Sequence, residues 1–140
     1  MKTREELQEV WENIVDKGFE DYNSLSRDER IWFNIEPLTT DGIFDQFTNN
    51  GAENIFDTIE DLEYLGFHNV VNLIKKMNSL FPKNNPPKDI DDRNEIINNW
   101  TEKQAELMEE IDDEFWDFSD ELENGLLEYL NKVEIDKKDL

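Results

Sequence analysis

Residues 108–125 read MEEIDDEFWDFSDELENG, and the fold turns on how this stretch is parsed. Nine of its eighteen residues are carboxylates and none is basic. Yet Ile111, Phe115, Phe118 and Leu122 recur among the acids, and Leu126 and Tyr129 continue the series with gaps of 4, 3, 4, 4 and 3 residues. An α-helix repeats every 3.6 residues, so these six side chains share one face and the acids fall on the remaining surface. The stretch reads as amphipathic helix, either continuous or restarting at Ser119. Trp116 stands off the apolar stripe, among the carboxylates.

Working outward, the same period governs nearly the whole chain. Leu7, Val10, Trp11, Ile14 and Val15 form a stripe opened by Thr3 and Glu6, a capping box in which side chains satisfy the first free N–H groups of a helix. Gly18 is the expected stop. Ser26 with Glu29 repeats the start signal, so a second helix begins near Arg27 and fades before Asp41. Asp41-Gly42 marks a turn, Ile43 to Thr48 a short helix, and Asn50-Gly51 its end. Ile55, Phe56, Ile59, Leu62 and Leu65 follow, closed by Gly66. Val70 to Leu80 make a further stripe, stopped by Pro82, and the Pro86-Pro87 pair places a loop before Ile96, Ile97 and Trp100. No period-2 alternation of useful length occurs. The pattern predicts one all-α domain spanning residues 1–140, with six to eight helices and a short polar tail over 132–140.

The net charge is −22, from 36 acids against 14 bases, with one histidine. Self-repulsion on that scale favours disorder unless apolar burial offsets it. Nine Phe, four Trp and three Tyr, spread along the chain, supply that burial. The sign of the charge repels nucleic acid and anionic lipid and attracts basic proteins. The first residues, MKTREELQEVWENIV, carry acids where a signal peptide needs an apolar run, which predicts a cytoplasmic protein with no membrane association.

Most site chemistry lacks its residues. Cysteine is absent and His68 stands alone, so zinc-type sites have no ligand set. Calcium loops starting at Asp89 and Asp112 both fail: Asn94 and Asp117 occupy the position that needs glycine. No phosphate-cradling glycine loop or nucleophile elbow occurs. Neither an enzyme, a cofactor nor a metal is expected.

Five segments, in order, carry a resemblance: SLSRDERIWFNIEPL, DGIFDQFTNN, LEYLGFHNVVNLIKKMNSLFP, the pair Asp92-Arg93, and LMEEIDDEFWDFSDELENGLLEYL. Together they resemble a family of bacterial all-α domains named after DNA-mimic proteins, over about residues 7–131. GIFDQF is the most specific piece, although Asp41 and Ile43 stand where the family favours Asn and Gly. The resemblance implies a helical, non-enzymatic domain, dimerisation, and binding to a DNA-binding protein in place of DNA.

Mimicry needs carboxylates in exposed rows with few counter-charges. Residues three or four apart on a helix have Cβ atoms about 5–6 Å apart, and duplex DNA presents a charge every ~1.7 Å of axis. From Glu102 to Glu128 there are twelve acids and one base, Lys103. Glu110, Asp113, Asp117, Asp120 and Glu121 form the expected partner-binding face, with Trp116 as an aromatic anchor. Asp57, Glu60 and Asp61, together with Glu53, form a second, weaker candidate. The expected partner is a basic protein, a DNA-binding protein or transcription factor. Two other readings stay open: an immunity-type inhibitor of a basic toxin or enzyme, and a structural domain whose acids serve only solvation.

Overall fold

The computed structural model describes residues 1–135, and within them the chain forms seven α-helices: α1 (Gln8–Glu20), α2 (Arg27–Thr48), α3 (Ile55–Leu65), α4 (His68–Asn78), α5 (Ile90–Asn98), α6 (Glu102–Trp116) and α7 (Ser119–Lys132). Short 3-10 turns occupy Tyr22–Ser24, Ala52–Asn54 and Pro82–Asn84. No strand occurs among the described residues. The all-α reading holds, and the helix count falls inside the expected range.

α2 is the central element, packing against α1, α3, α5, α6 and α7. The sequence fixes its start at Ser26, whose hydroxyl accepts from the Glu29 N–H at 3.3 Å while the Glu29 carboxylate accepts from the Ser26 N–H at 2.8 Å. Its apolar face, Ile31, Trp32, Ile35 and Leu38, is buried. At Gly42 the backbone turns out of helical geometry, with φ +84° and ψ −179°, and then resumes. Residues with a Cβ rarely adopt that φ. The expected Asp41-Gly42 turn is thus a kink joining two helical segments.

Several boundaries differ from the sequence reading, each for a physical reason. Gly18 does not stop α1, which runs on to Glu20. Its lack of a side chain serves packing instead: a Cβ there would lie 2.3 Å from the Phe33 ring. The Thr3–Glu6 bonds do form, at 3.2 Å in each direction, but they organise a turn ahead of the helix that begins at Gln8. α4 ends at Asn78, where the Ser79 N–H closes onto the Lys75 and Lys76 carbonyls, and Pro82 opens the next turn. Ile135 is fully buried, so the chain is still packed at the fourth residue of the expected polar tail. The remainder of that tail, 136–140, lies outside the described residues.

One apolar cluster links all the longer helices, from Leu7 through Phe47, Leu62, Ile74 and Phe115 to Leu130 and Ile135. Arg93 is buried among these groups and 0 % exposed. Its guanidinium donates to the Phe47 carbonyl at 2.9 Å, the Asn49 carbonyl at 2.7 Å, and those of Pro87 and Lys88 at 3.1 and 2.8 Å. One side chain therefore ties the end of α2 to the proline loop and α5. Desolvation lowers its pKa, opposed by Glu53 at 3.5 Å.

Candidate functional site

α6 begins with a second reciprocal cap. The Thr101 hydroxyl accepts from the Gln104 N–H at 3.2 Å, and the Gln104 side chain accepts from the Thr101 N–H at 2.9 Å. Ile111 and Phe115 are buried, which fixes the rotation of the helix and turns Glu110, Asp113 and Asp117 outward. Phe115 and Trp116 end α6: the Asp117 N–H bonds to Glu114 O at 3.1 Å and the Phe118 N–H to Phe115 O at 2.9 Å. The chain restarts as α7, so the question left open at Ser119 resolves as a break. Ser119 is the first helical residue rather than the cap, and its hydroxyl donates back to Trp116 O at 3.0 Å.

Asp120 and Glu121 fall in the first turn of α7, where the helix dipole favours anions. Asp113, Glu114 and Asp117 crowd the last turn of α6, where the dipole opposes them, and no basic residue stands there to compensate. Each such acid costs roughly 0.3–1 kcal/mol when exposed. Glu110, Asp113, Asp117, Asp120 and Glu121 are all exposed. Among the described residues none of them pairs with a lysine or arginine. Glu106 lies one turn earlier on the same face, also exposed and unpaired, and extends the row. The sequence reading did not name it, although the 4-3-4 spacing from Glu106 through Glu110 and Asp113 to Asp117 carried the signal.

Two neighbouring acids behave otherwise. Asp112 is turned inward and accepts from the Phe44 N–H at 3.1 Å. Glu123 is held by Arg4 at 3.3 Å. Trp116 is 43 % exposed, with its ring against Gly42, where a Cβ would lie 2.9 Å away. It is half-exposed and lies outside the buried core, edge-on to Phe115 at 5.3 Å.

The second candidate face is not a free anionic surface. Asp61 is 0 % exposed and receives an ion pair from Arg30, with Asn34 donating at 3.4 Å. Burial raises the pKa of Asp61 despite Arg30, and the Asp61 contact raises that of Arg30. Arg30 also lies 3.8 Å from Asp57 and 3.6 Å from Glu60, and the Tyr22 hydroxyl donates to Asp57 at 2.8 Å. One positive charge thus stands against three, directed chiefly at the buried Asp61, while Glu60 stays largely exposed. Glu53 lies in the 3-10 turn before α3, where it accepts from the Gly51 N–H at 2.9 Å and faces Arg93. Asp61 serves the interior and Glu53 and Asp57 its rim, whereas Glu60 remains on the surface.

The candidate site is therefore a set of exposed, unpaired carboxylates on α6 and α7, with a half-exposed tryptophan among them in sequence; α1 carries a comparable exposed series, Glu9, Glu12, Asp16 and Glu20. That arrangement defines an all-α protein with a strongly anionic surface. The chain belongs to the DMP19-like family, whose model, described as DMP19-like protein, matches residues 23–133. No curated protein and no solved structure matches the chain. Among the described residues no helix is long and apolar enough to cross a membrane.

Proposed function

We propose that this protein is a DNA mimic, a non-enzymatic module that occupies the basic DNA-binding surface of a partner protein. The observation that carries the reading is the unpaired row Glu110, Asp113, Asp117, Asp120 and Glu121, held outward by the buried stripe of α6 and α7. A chain selected only for solubility would intersperse Lys four residues after Glu on such helices. Here the acids at the end of α6 lie against the dipole and stay uncompensated. Membership of the DMP19-like family supports the same reading.

A basic, DNA-binding partner is the complementary surface, since electrostatic complementarity governs encounter and register. Duplex DNA and this protein then compete for one site. The test is capture from bacterial lysate at low and high salt, followed by elution with duplex DNA. Capture of a DNA-binding protein, release by duplex, and an affinity falling at least about tenfold between roughly 50 and 200 mM salt are expected. A tight partner indifferent to both salt and DNA overturns the proposal. A basic toxin or enzyme as the captured species returns the immunity-type reading.

A further inference from the structure

Several aromatic side chains that the core does not absorb gather on one side of α1. Trp11, Val15 and Phe19 follow one another at helical spacing of four and so form a line down one face. Phe33 and Pro37 of α2 and the 3-10 turn Ala52–Asn54 face that line across a hollow of about 160 Å³. At Trp11 and Pro37 it joins a second hollow, of about 340 Å³, which Trp32 and Asp41 also line. At Glu53 and Asn54 it adjoins a third, lined by Tyr22 and Phe56. Phe19 is 64 % exposed and Phe56 56 %, and the Phe33 ring meets those of Phe19 and Tyr22 at 5.4 and 5.9 Å. Single apolar residues on a surface are ordinary, whereas a continuous aromatic trench is the form of an interaction site.

The charges beside the trench define what fits it. One step around α1 from each member of the line stands an acid: Glu12 after Trp11, Asp16 after Val15 and Glu20 after Phe19. All three are exposed, as is Asp41, and none of the four pairs with a lysine or arginine among the described residues. The nearby bases are held elsewhere or stand at the ends: Lys17 reaches Glu29 at 2.9 Å, Arg4 pairs with Glu36 and Glu123, and Lys88 lies at the Phe56 end. An occupant must be apolar toward the trench and basic beside it. A second copy of this chain, at −22, brings the same sign of charge that the rim already carries.

We infer that this trench is a docking site for a basic amphipathic helix of a partner protein. Its apolar residues, spaced three and four apart, pack between Trp11, Phe19 and Phe33, and its lysines or arginines meet Glu12, Asp16 and Glu20. From Trp11 to Phe19 the line runs about 12 Å, enough to seat two to three turns. The inference uses none of the carboxylates of α6 and α7 and so stands apart from DNA mimicry.

The test titrates the full-length, isotopically labelled protein with a model peptide of roughly fourteen residues, leucine on one helical face and lysine on the rest, at roughly 150 mM salt. The Trp11 indole and Phe19 amide NMR signals are expected to shift saturably, with a dissociation constant on the order of 10 μM, before those of Asp113 and Asp117 move. The same leucines and lysines reordered to leave no apolar face should bind at least about tenfold more weakly, and Phe19→Ser should weaken the helical peptide by a similar factor. Neutralising Glu110, Asp113, Asp117 and Asp120 to their amides should leave that affinity within about twofold. Equal binding of the two peptides, shifts centred on α6 and α7, or a dimer of the free protein that Phe19→Ser dissociates overturns the assignment. The two peptides compared on the wild-type protein decide the matter even if the variant fails to fold.

Discussion

Asp112 of α6 caps the second half of α2, its Oδ1 lying 3.1 Å from the Phe44 N–H just beyond the Gly42 kink. Helix starts leave N–H groups without intrahelical partners, and a side-chain oxygen usually comes from the residue just before. Here it comes from 68 residues away. Asp112→Ala is expected to destabilise the protein by about 1–2 kcal/mol, within the range for lost N-caps. Asp112→Asn, which keeps an acceptor, should lose less than half as much. Urea midpoints measure both, and equal losses would show that the bond contributes nothing.

The acidic row should behave oppositely. Replacing Glu110 by Gln and Asp113, Asp117 and Asp120 by Asn removes four like charges, two of them at the unfavourable end of α6. The melting temperature should rise, and its increase with added salt should become smaller than in the wild type. Affinity for a captured basic partner should fall at least about tenfold, on the scale of desolvated interfacial charges. Stability and binding moving in opposite directions is the signature of a face kept for recognition. A fall in both would mark these acids as structural.

Arg93 offers a severe test of the interior. Its guanidinium reaches four backbone carbonyls, and an ammonium cannot span them in the same plane. Arg93→Lys should therefore cost about 3 kcal/mol or more, approaching the loss for Arg93→Met, because carbonyls at Phe47 and Asn49 are left unsatisfied. Chemical denaturation of both variants checks this. A loss under about 1 kcal/mol for lysine would mean that the fork geometry is not used.

Glu29 gives a pH dependence. Burial alone would raise its pKa, but the Ser26 N–H and Lys17 outweigh burial and hold it below the ordinary 4.5. The unfolded chain titrates near that ordinary value. The stabilisation is therefore complete above pH 4.5 and is lost as pH falls through the lower folded-state value. Glu29→Gln should be less stable than wild type at pH 7, with the gap closing as pH falls below the ordinary 4.5. Paired thermal melts across that range check the sign, and a gap that widens on acidification would reverse it.

Much of the fold was legible because it rests on local rules. Ser26 with Glu29, the kink at Gly42 and the left-handed Gly66 beyond α3 all work through neighbours within a few residues. The apolar stripe from Ile111 to Leu126 likewise reports its burial by period alone. What the sequence hid depends on partners far along the chain. Gly18 looks like a stop until Phe33 is placed against it, 15 residues on. Asp61 looks like Glu60 until Arg30 and Asn34 arrive from α2. Asp112 sits among surface acids in sequence yet faces inward, because the Phe44 N–H needs it. Acidity is thus readable as a quantity from composition, whereas its division between surface and interior depends on where the few cations and orphan amides end up.

The placement of Trp116 makes the surface measurable without a label. Its indole rests on Gly42 while nearly half of it meets solvent at the end of the acid-rich α6. With Trp11, Trp32 and Trp100 replaced by Phe, caesium ions should gather at that spot and iodide should avoid it, so the ratio of the two quenching constants becomes a local voltmeter. Whatever settles over the row would silence both ions together, and the tryptophan would announce it by light.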